Sequence, residues 1–153
     1  MNLPDTLNAK WAAFDELTPH DVHDLLKLRQ DIFVLEQASL YADIDGKDPE
    51  ALHFLIRDRA TCSLLGAIRL FADGAAKRAR IGRVVIARPA RGSGLGRRMM
   101  QAGIARAEEL APGCEIQVSA QAHLEGFYSS LGFRTVSDVY VEDGIDHIDM
   151  IRP

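Results

Sequence analysis

The sequence predicts an α/β (α+β) protein, a mixed sheet with helices packed against it, on three observations. The 153 residues fit one domain, 1–153, long enough to bury a core and short for two. Apolar residues make up 47% and charged residues 26%, the balance of a globular chain. Segments with strand-like and helix-like periodicity then follow in the order β-α-(α)-β-β-β-α-β-α-β-β, with no internal repeat, linker or low-complexity tract.

Each element has a local reason. "WAAFDEL" reads as the first strand. Thr18 is a good helix N-cap and Pro19 suits the first helical position, so a helix opens there. Val22, Leu25, Leu26, Arg29, Ile32 and Phe33 follow at near-helical spacing and give it one packing face. "YADIDGKDPEA" is a polar loop. "LHFLIRD" and "SLLGAIRLFA" are strands joined by the short turn "RATC". After the break "DGAAKRA", "RIGRVVIA" is another strand with a β-branched centre. "GRRMMQAGIARAEELA" sets Met99, Met100, Gly103, Ile104 and Ala107 on one side, an amphipathic helix ended near Pro112–Gly113. "EIQVSA" alternates as a strand, and "HLEGFYSSLG" is a short helix stopped by Gly132. "FRTVSDVYVEDGIDHIDMI" reads as terminal strands around a turn at Asp143–Gly144.

Composition excludes several classes. A net charge of −4 argues against a general nucleic-acid binder, which shows a strongly basic face. No run approaches the roughly 20 apolar residues that span a bilayer, so no membrane role is expected. The opening "MNLPDTLNAKWAAF" lacks the basic start and apolar run of a secretory signal. Cys62 and Cys114 lie far apart and outside any CxxC pattern, which suits reduced thiols and a cytoplasmic location. His20 and His23 are the one close histidine pair and lack further ligands, so no metal site is expected.

The informative stretch is "PARGSGLGRRMM". A strand, a glycine-rich turn and a helix gather free backbone N–H groups at the positive end of the helix dipole, where an anion binds closely. Arg91, with Arg97 or Arg98, would add charge. The alternative is a plain strand-to-helix turn in which the glycines relieve crowding. A Walker loop fails for want of a Lys-Ser or Lys-Thr pair. The dinucleotide fingerprint fails too, because Gly92, Gly94 and Gly96 give GxGxG rather than GxGxxG.

The run Arg91-Gly92-Ser93-Gly94-Leu95-Gly96 does fit R-x-x-G-x-G. It resembles the coenzyme A pyrophosphate loop of the GCN5-related N-acetyltransferase (GNAT) family. Downstream, "AQAHLEGFYSSLGF" resembles that family's N-x-x-A-x-x-x-Y-x-x-x-G-F helix, with Tyr128, Gly132 and Phe133 in place. Gln121 stands for its Asn and Leu124 for its Ala. A narrower resemblance to the family's ElaA branch runs from Arg29 almost to the C-terminus. It rests on "RQDIFVLEQ", "YADIDGKD", "IGRVVI", "RGSGLGRRMM", "AQAHLEGFY" and "EDGIDHIDM", and Asp146 stands where that branch commonly has Pro.

The resemblance implies a GNAT fold: a mostly antiparallel sheet splayed at the cofactor strand, with helices on both faces. It implies an acetyl-CoA-dependent N-acetyltransferase that moves acetyl to a primary amine by direct attack in a ternary complex. Val84, Val85 and Ile86 would offer their main chain to the pantetheine arm and acetyl carbonyl. Residues Arg91, Gly92, Ser93, Gly94, Leu95 and Gly96 would hold the pyrophosphate, and Gln121 the pantetheine amides. Tyr128 would be the general acid, since a phenol stays protonated at neutral pH and can donate to the leaving thiolate; the alternative is a buried aromatic. The general base stays open among Glu36, His53, Glu142, His147, Asp149 and water. Asp43, Asp45, Asp48 and Glu50 cluster in one loop and Glu142, Asp143, Asp146 and Asp149 in another. If the two loops meet at the acceptor mouth, their field would favour a cationic amine, small molecule or peptide. The rival class is a non-catalytic acyl-CoA sensor or interaction module. The C-terminal hairpin offers edge strands through which a homodimer could pair.

Overall fold

The computed structural model describes residues 3–153. Its strands are β1 Leu7–Ala13, β2 Leu52–Asp58, β3 Leu64–Asp73, β4 Arg78–Ile86, β5 Glu115–Gln121, β6 Arg134–Thr135, β7 Tyr140–Glu142 and β8 Ile145–Arg152. Its α-helices are α1 Pro19–Arg29, α2 Leu95–Leu110 and α3 Glu125–Ser129. The strands form one open sheet in the order β1-β2-β3-β4-β5-β8-β6, with β7 also on β8. Every pairing is antiparallel except β4 with β5.

The pleat divides the core between two helix layers. Phe54, Ile56, Ile68, Leu70 and Ile81 point to the side that holds α2 and Tyr128. Their neighbours Leu55, Ala67 and Val85 point the other way, onto Leu25 and Leu28 of α1. Helix α2 sits unusually close to the sheet: a Cβ added at Gly103 would lie 2.8 Å from Ile68 Cδ1 and 2.9 Å from Ile81 Cδ1. Among the described residues no helix is long and apolar enough to cross a membrane.

Two boundaries differ most from the sequence reading. The first strand begins earlier, at Leu7, and Phe14–Glu16 folds into a 3₁₀ turn rather than extending it. The reason is that β1 must pair with β2 from Leu7↔Asp58 to Ala13↔Leu52, leaving "FDEL" beyond the partner strand. The first helix is capped as expected: Thr18 Oγ1 accepts from the Asp21 amide at 3.0 Å, and Asp21 Oδ2 accepts from the Thr18 amide at 3.0 Å. Its α-helical bonding ends at Arg29, however, and Gln30–Glu36 continue as a π-helix. That widened turn is a common mark of functional segments. The final turn is where the sequence places it, with Asp143 at φ 53° and Gly144 at φ 78°.

Candidate active site

The site begins as a defect in the sheet. β4 and β5 pair only at Arg78↔Glu115, Ala79↔Ile116 and Arg80↔Gln117. Beyond those three rungs β4 runs on to Ile86 and β5 to Gln121 with no strand between them. A bulge bends β4 at this point: Ala67 faces Val85 while Arg69 faces Gly82, so β4 spends an extra residue there. Arg83 takes the strain, at φ 47°. Val84, Val85 and Ile86 lie past the bulge along the opened edge. The Val85 side chain is buried against α1, which leaves main chain to face the slot.

The glycine turn closes the far end of β4. Gly92 and Gly94 have φ of 79° and 77°, a conformation that favours glycine, and a Cβ at either would meet nothing within 4 Å. Gly94 is the N-cap of α2 and supplies no side-chain cap. The backbone amides of residues 92–97 donate to no protein acceptor among the described residues. Six free donors at the positive end of a 16-residue helix fit a diphosphate. The other motif residues do different work. Gly96 is a packing glycine, since a Cβ there would come 3.0 Å from Ile86 Cδ1. Leu95 is buried, so its main chain alone belongs to the turn. Ser93 Oγ donates to the Ala90 carbonyl at 2.6 Å. Arg91 turns away from the loop, its Nη2 2.7 Å from Glu36 Oε2.

Tyr128 lies in α3, packed edge-on to Phe127 and Phe133 at ring-centroid distances of 5.1 and 5.9 Å. It is 6% exposed. Burial pushes its pKa up to about 12, so the phenol keeps its proton across the physiological range. Gln121 ends β5 opposite His147 of β8, and its Nε2 donates to Gln37 Oε1 at 3.2 Å.

The base candidates separate on geometry. His53 is fully buried with its Nε2 2.9 Å from the Asp48 carbonyl, so it reaches no substrate. Glu36 is held by Arg91 and by Arg88, which keep its carboxyl below the usual carboxylate range and make it a weak base. Asp149 accepts from Tyr140 Oη at 2.6 Å and Ser119 Oγ at 3.4 Å. His147 stacks on Tyr140 and turns Nδ1 to the Ile145 carbonyl at 2.7 Å. Its Nε2 lies 3.8 Å from the exposed Glu142.

The acidic loops need correction. Ser39, two residues before the first loop, donates from Oγ to the Asp143 carbonyl of the second at 2.5 Å. Yet the first cluster is not a free anionic field. Arg29 binds Asp43 and Asp48 at 2.9 Å each, Arg69 binds Asp45 at 2.9 Å and Asp48 at 3.1 Å, and Arg83 binds Asp43 at 2.9 Å. Three carboxylates are thus neutralised by three guanidiniums, and only Glu50 of that group stays unpaired among the described residues. These arginines escaped the sequence reading. The available signal was Arg29 itself, a charge standing within an apolar stripe.

An acetyltransferase (GNAT) domain model matches residues 25–152. The chain belongs to the GNAT acetyltransferase family. Its resemblance to the ElaA branch is equally direct. Protein ElaA of Escherichia coli K12 is 36% identical over 138 residues, covering 90% of each chain. A UPF0039 protein of Synechocystis is 37% identical over 145 residues, covering 95% of this chain and 94% of that one. The crystal structure of E. coli ElaA superposes with a TM-score of 0.88 over 96% of this chain and 99% of that one. An acyl-CoA N-acyltransferase from Pseudomonas aeruginosa, 36% identical, gives 0.87 over 96% and 99%. The open, mostly antiparallel sheet with helices on both faces is therefore the GNAT fold. Beside the glycine turn of this GNAT chain, a groove of about 510 Å³ runs between Leu28, Ile32, Leu35 and Glu36 and the turn Ala87–Pro89.

Proposed function

We propose that the chain is an N-acetyltransferase that moves acetyl from acetyl-CoA to a primary amine by direct attack in a ternary complex. The observation that carries this reading is the row of free amides at residues 92–97, set at the mouth of the half-open sheet. Those amides, with the helix dipole behind them, bind the diphosphate. The main chain of Val84, Val85 and Ile86 and the amide of Gln121 flank the slot and orient the pantetheine arm. Fixed main-chain donors also stabilise charge on the carbonyl oxygen as the bond changes, worth about 3–4 kcal/mol for one such donor.

Acetyl-CoA supplies an activated thioester carbonyl. The amine's lone pair forms the new C–N bond as the C–S bond breaks, and the thiolate sulfur receives the Tyr128 phenolic proton. The amine's surplus proton goes to His147 Nε2, which among the candidates keeps a ring nitrogen beside Gln121. Both groups are restored by solvent. Monitoring free thiol release from acetyl-CoA across a panel of primary amines tests the proposal. Amine-dependent release is expected; tight binding of acetyl-CoA with no release for any amine would replace it with a sensor.

A further inference from the structure

Glu36 sits where the π-helix ends and touches both arginines that precede the glycine turn. Its Oε2 lies 2.7 Å from Arg91 Nη2, and its Oε1 accepts from Arg88 Nη2 at 2.7 Å and Arg88 Nε at 3.1 Å. Arg91 directly precedes Gly92, the first residue with a free amide. Two guanidiniums and one carboxylate leave a single net positive charge at the approach to a site shaped for a doubly charged group. The carboxylate cannot simply lose its charge, because the same two arginines hold its pKa below the usual range. All three side chains keep contact with solvent, so they can exchange partners without unfolding anything.

We infer that Glu36 is an internal competitor of the diphosphate: it holds Arg91 and Arg88 before the carrier binds and takes them back when the carrier leaves. The inference rests on the diphosphate reading of the glycine turn given above. Its chemical sense lies in turnover. Arginine contacts to the diphosphate are the same before and after acetyl transfer, so they tighten substrate and product alike and do not lower the chemical barrier. Product release limits the turnover of many enzymes. A carboxylate that reclaims the arginines speeds that departure.

The test is the dissociation constant of coenzyme A itself, measured by calorimetry on the full chain and on Glu36→Gln. The exposed, isosteric change leaves folding intact, which a thermal midpoint confirms. Affinity should rise about three- to tenfold at low salt and by less than about twofold near 0.5 M salt, as expected for solvent-screened pairs. In an Arg88→Ala/Arg91→Ala background the gain should vanish, because Glu36 acts only through those groups. An unchanged or weaker affinity in Glu36→Gln overturns the inference, as does an equal gain in the arginine-free background. Failure of the unaltered chain to bind coenzyme A would overturn the diphosphate reading and this inference with it. Binding that ignores Glu36 removes this inference alone.

Discussion

Replacing Arg29 with methionine probes the feature that fixes the loop between the first helix and β2. Arg29 is fully buried, with its Nε 2.9 Å from Asp43 Oδ2, Nη1 2.9 Å from Asp48 Oδ1 and Nη2 3.0 Å from the Asp43 carbonyl. Methionine keeps much of the volume and removes all three bonds. Asp43 and Asp48 are themselves 7% and 6% exposed, so the change leaves two buried carboxylates each short of one partner. Breaking one side of a buried charge cluster typically costs about 3–5 kcal/mol. The lower figure applies here, because Asp43 keeps Arg83 at 2.9 Å and Asp48 keeps Arg69 at 3.1 Å. For a chain of this length about 3 kcal/mol lowers the melting temperature by roughly 6–12 °C. Calorimetry or circular dichroism at pH 7 measures it. Lys27→Met, which removes the solvent-exposed pair with Asp31, is the control and should leave the midpoint in place. A loss under about 2 °C for Arg29→Met would show that the cluster does not anchor the loop, and the reasoning would fail.

Four further outcomes are expected. Stability should decline as pH falls below about 6.5 and more steeply below about 4. Burial lowers the His53 pKa, and at Asp21, Asp45 and Asp48 bonds from basic side chains outweigh the upward push of burial. All four therefore bind fewer protons folded than unfolded, and a midpoint that rose from pH 7 to pH 5 would contradict the sign. Tyr128→Phe should lower kcat by about a hundredfold with the dissociation constant for acetyl-CoA nearly unchanged. Because the Tyr128 pKa is about 12, any loss of activity near pH 9 in the unaltered chain should persist in the phenylalanine variant. His147→Gln should reduce kcat by at least about tenfold, and full activity would leave the amine's proton to water. Gly94→Ala, at φ 77° with open space around a new Cβ, should lose about 1–2 kcal/mol through backbone strain alone and bind coenzyme A more weakly.

Much of the architecture was legible because local pattern and tertiary role coincide. β2 is placed to the residue by "LHFLIRD", and Met99, Met100, Gly103 and Ala107 of α2 are buried as their spacing requires. What stayed hidden is long-range. The π-helical run Gln30–Glu36 shares its apolar spacing with an ordinary helix, and only packing against the rest of the chain decides between them. The loop carboxylates read as a free anionic field because their partners Arg29, Arg69 and Arg83 lie up to 40 positions away in sequence. The motif marks Arg91 as a ligand contact but carries no local signal of its pairing with Glu36, far earlier in the chain. In the site itself, the glycine motif gave away the backbone conformation of the turn, whereas the roles of Gly96 and Leu95 depend on the strand beneath them.

The short parallel pairing of β4 and β5 carries one more consequence. A strand flank with vacant hydrogen-bonding positions at a sheet's rim invites neighbouring molecules to zip onto it and aggregate. Here the vacancy lies in the middle, walled by β3 on one side and β8 on the other. A thin, amide-bearing thread can enter such a cleft, whereas a foreign polypeptide ribbon meets steric walls. The protein thereby keeps the adhesive chemistry of a rim without its hazard.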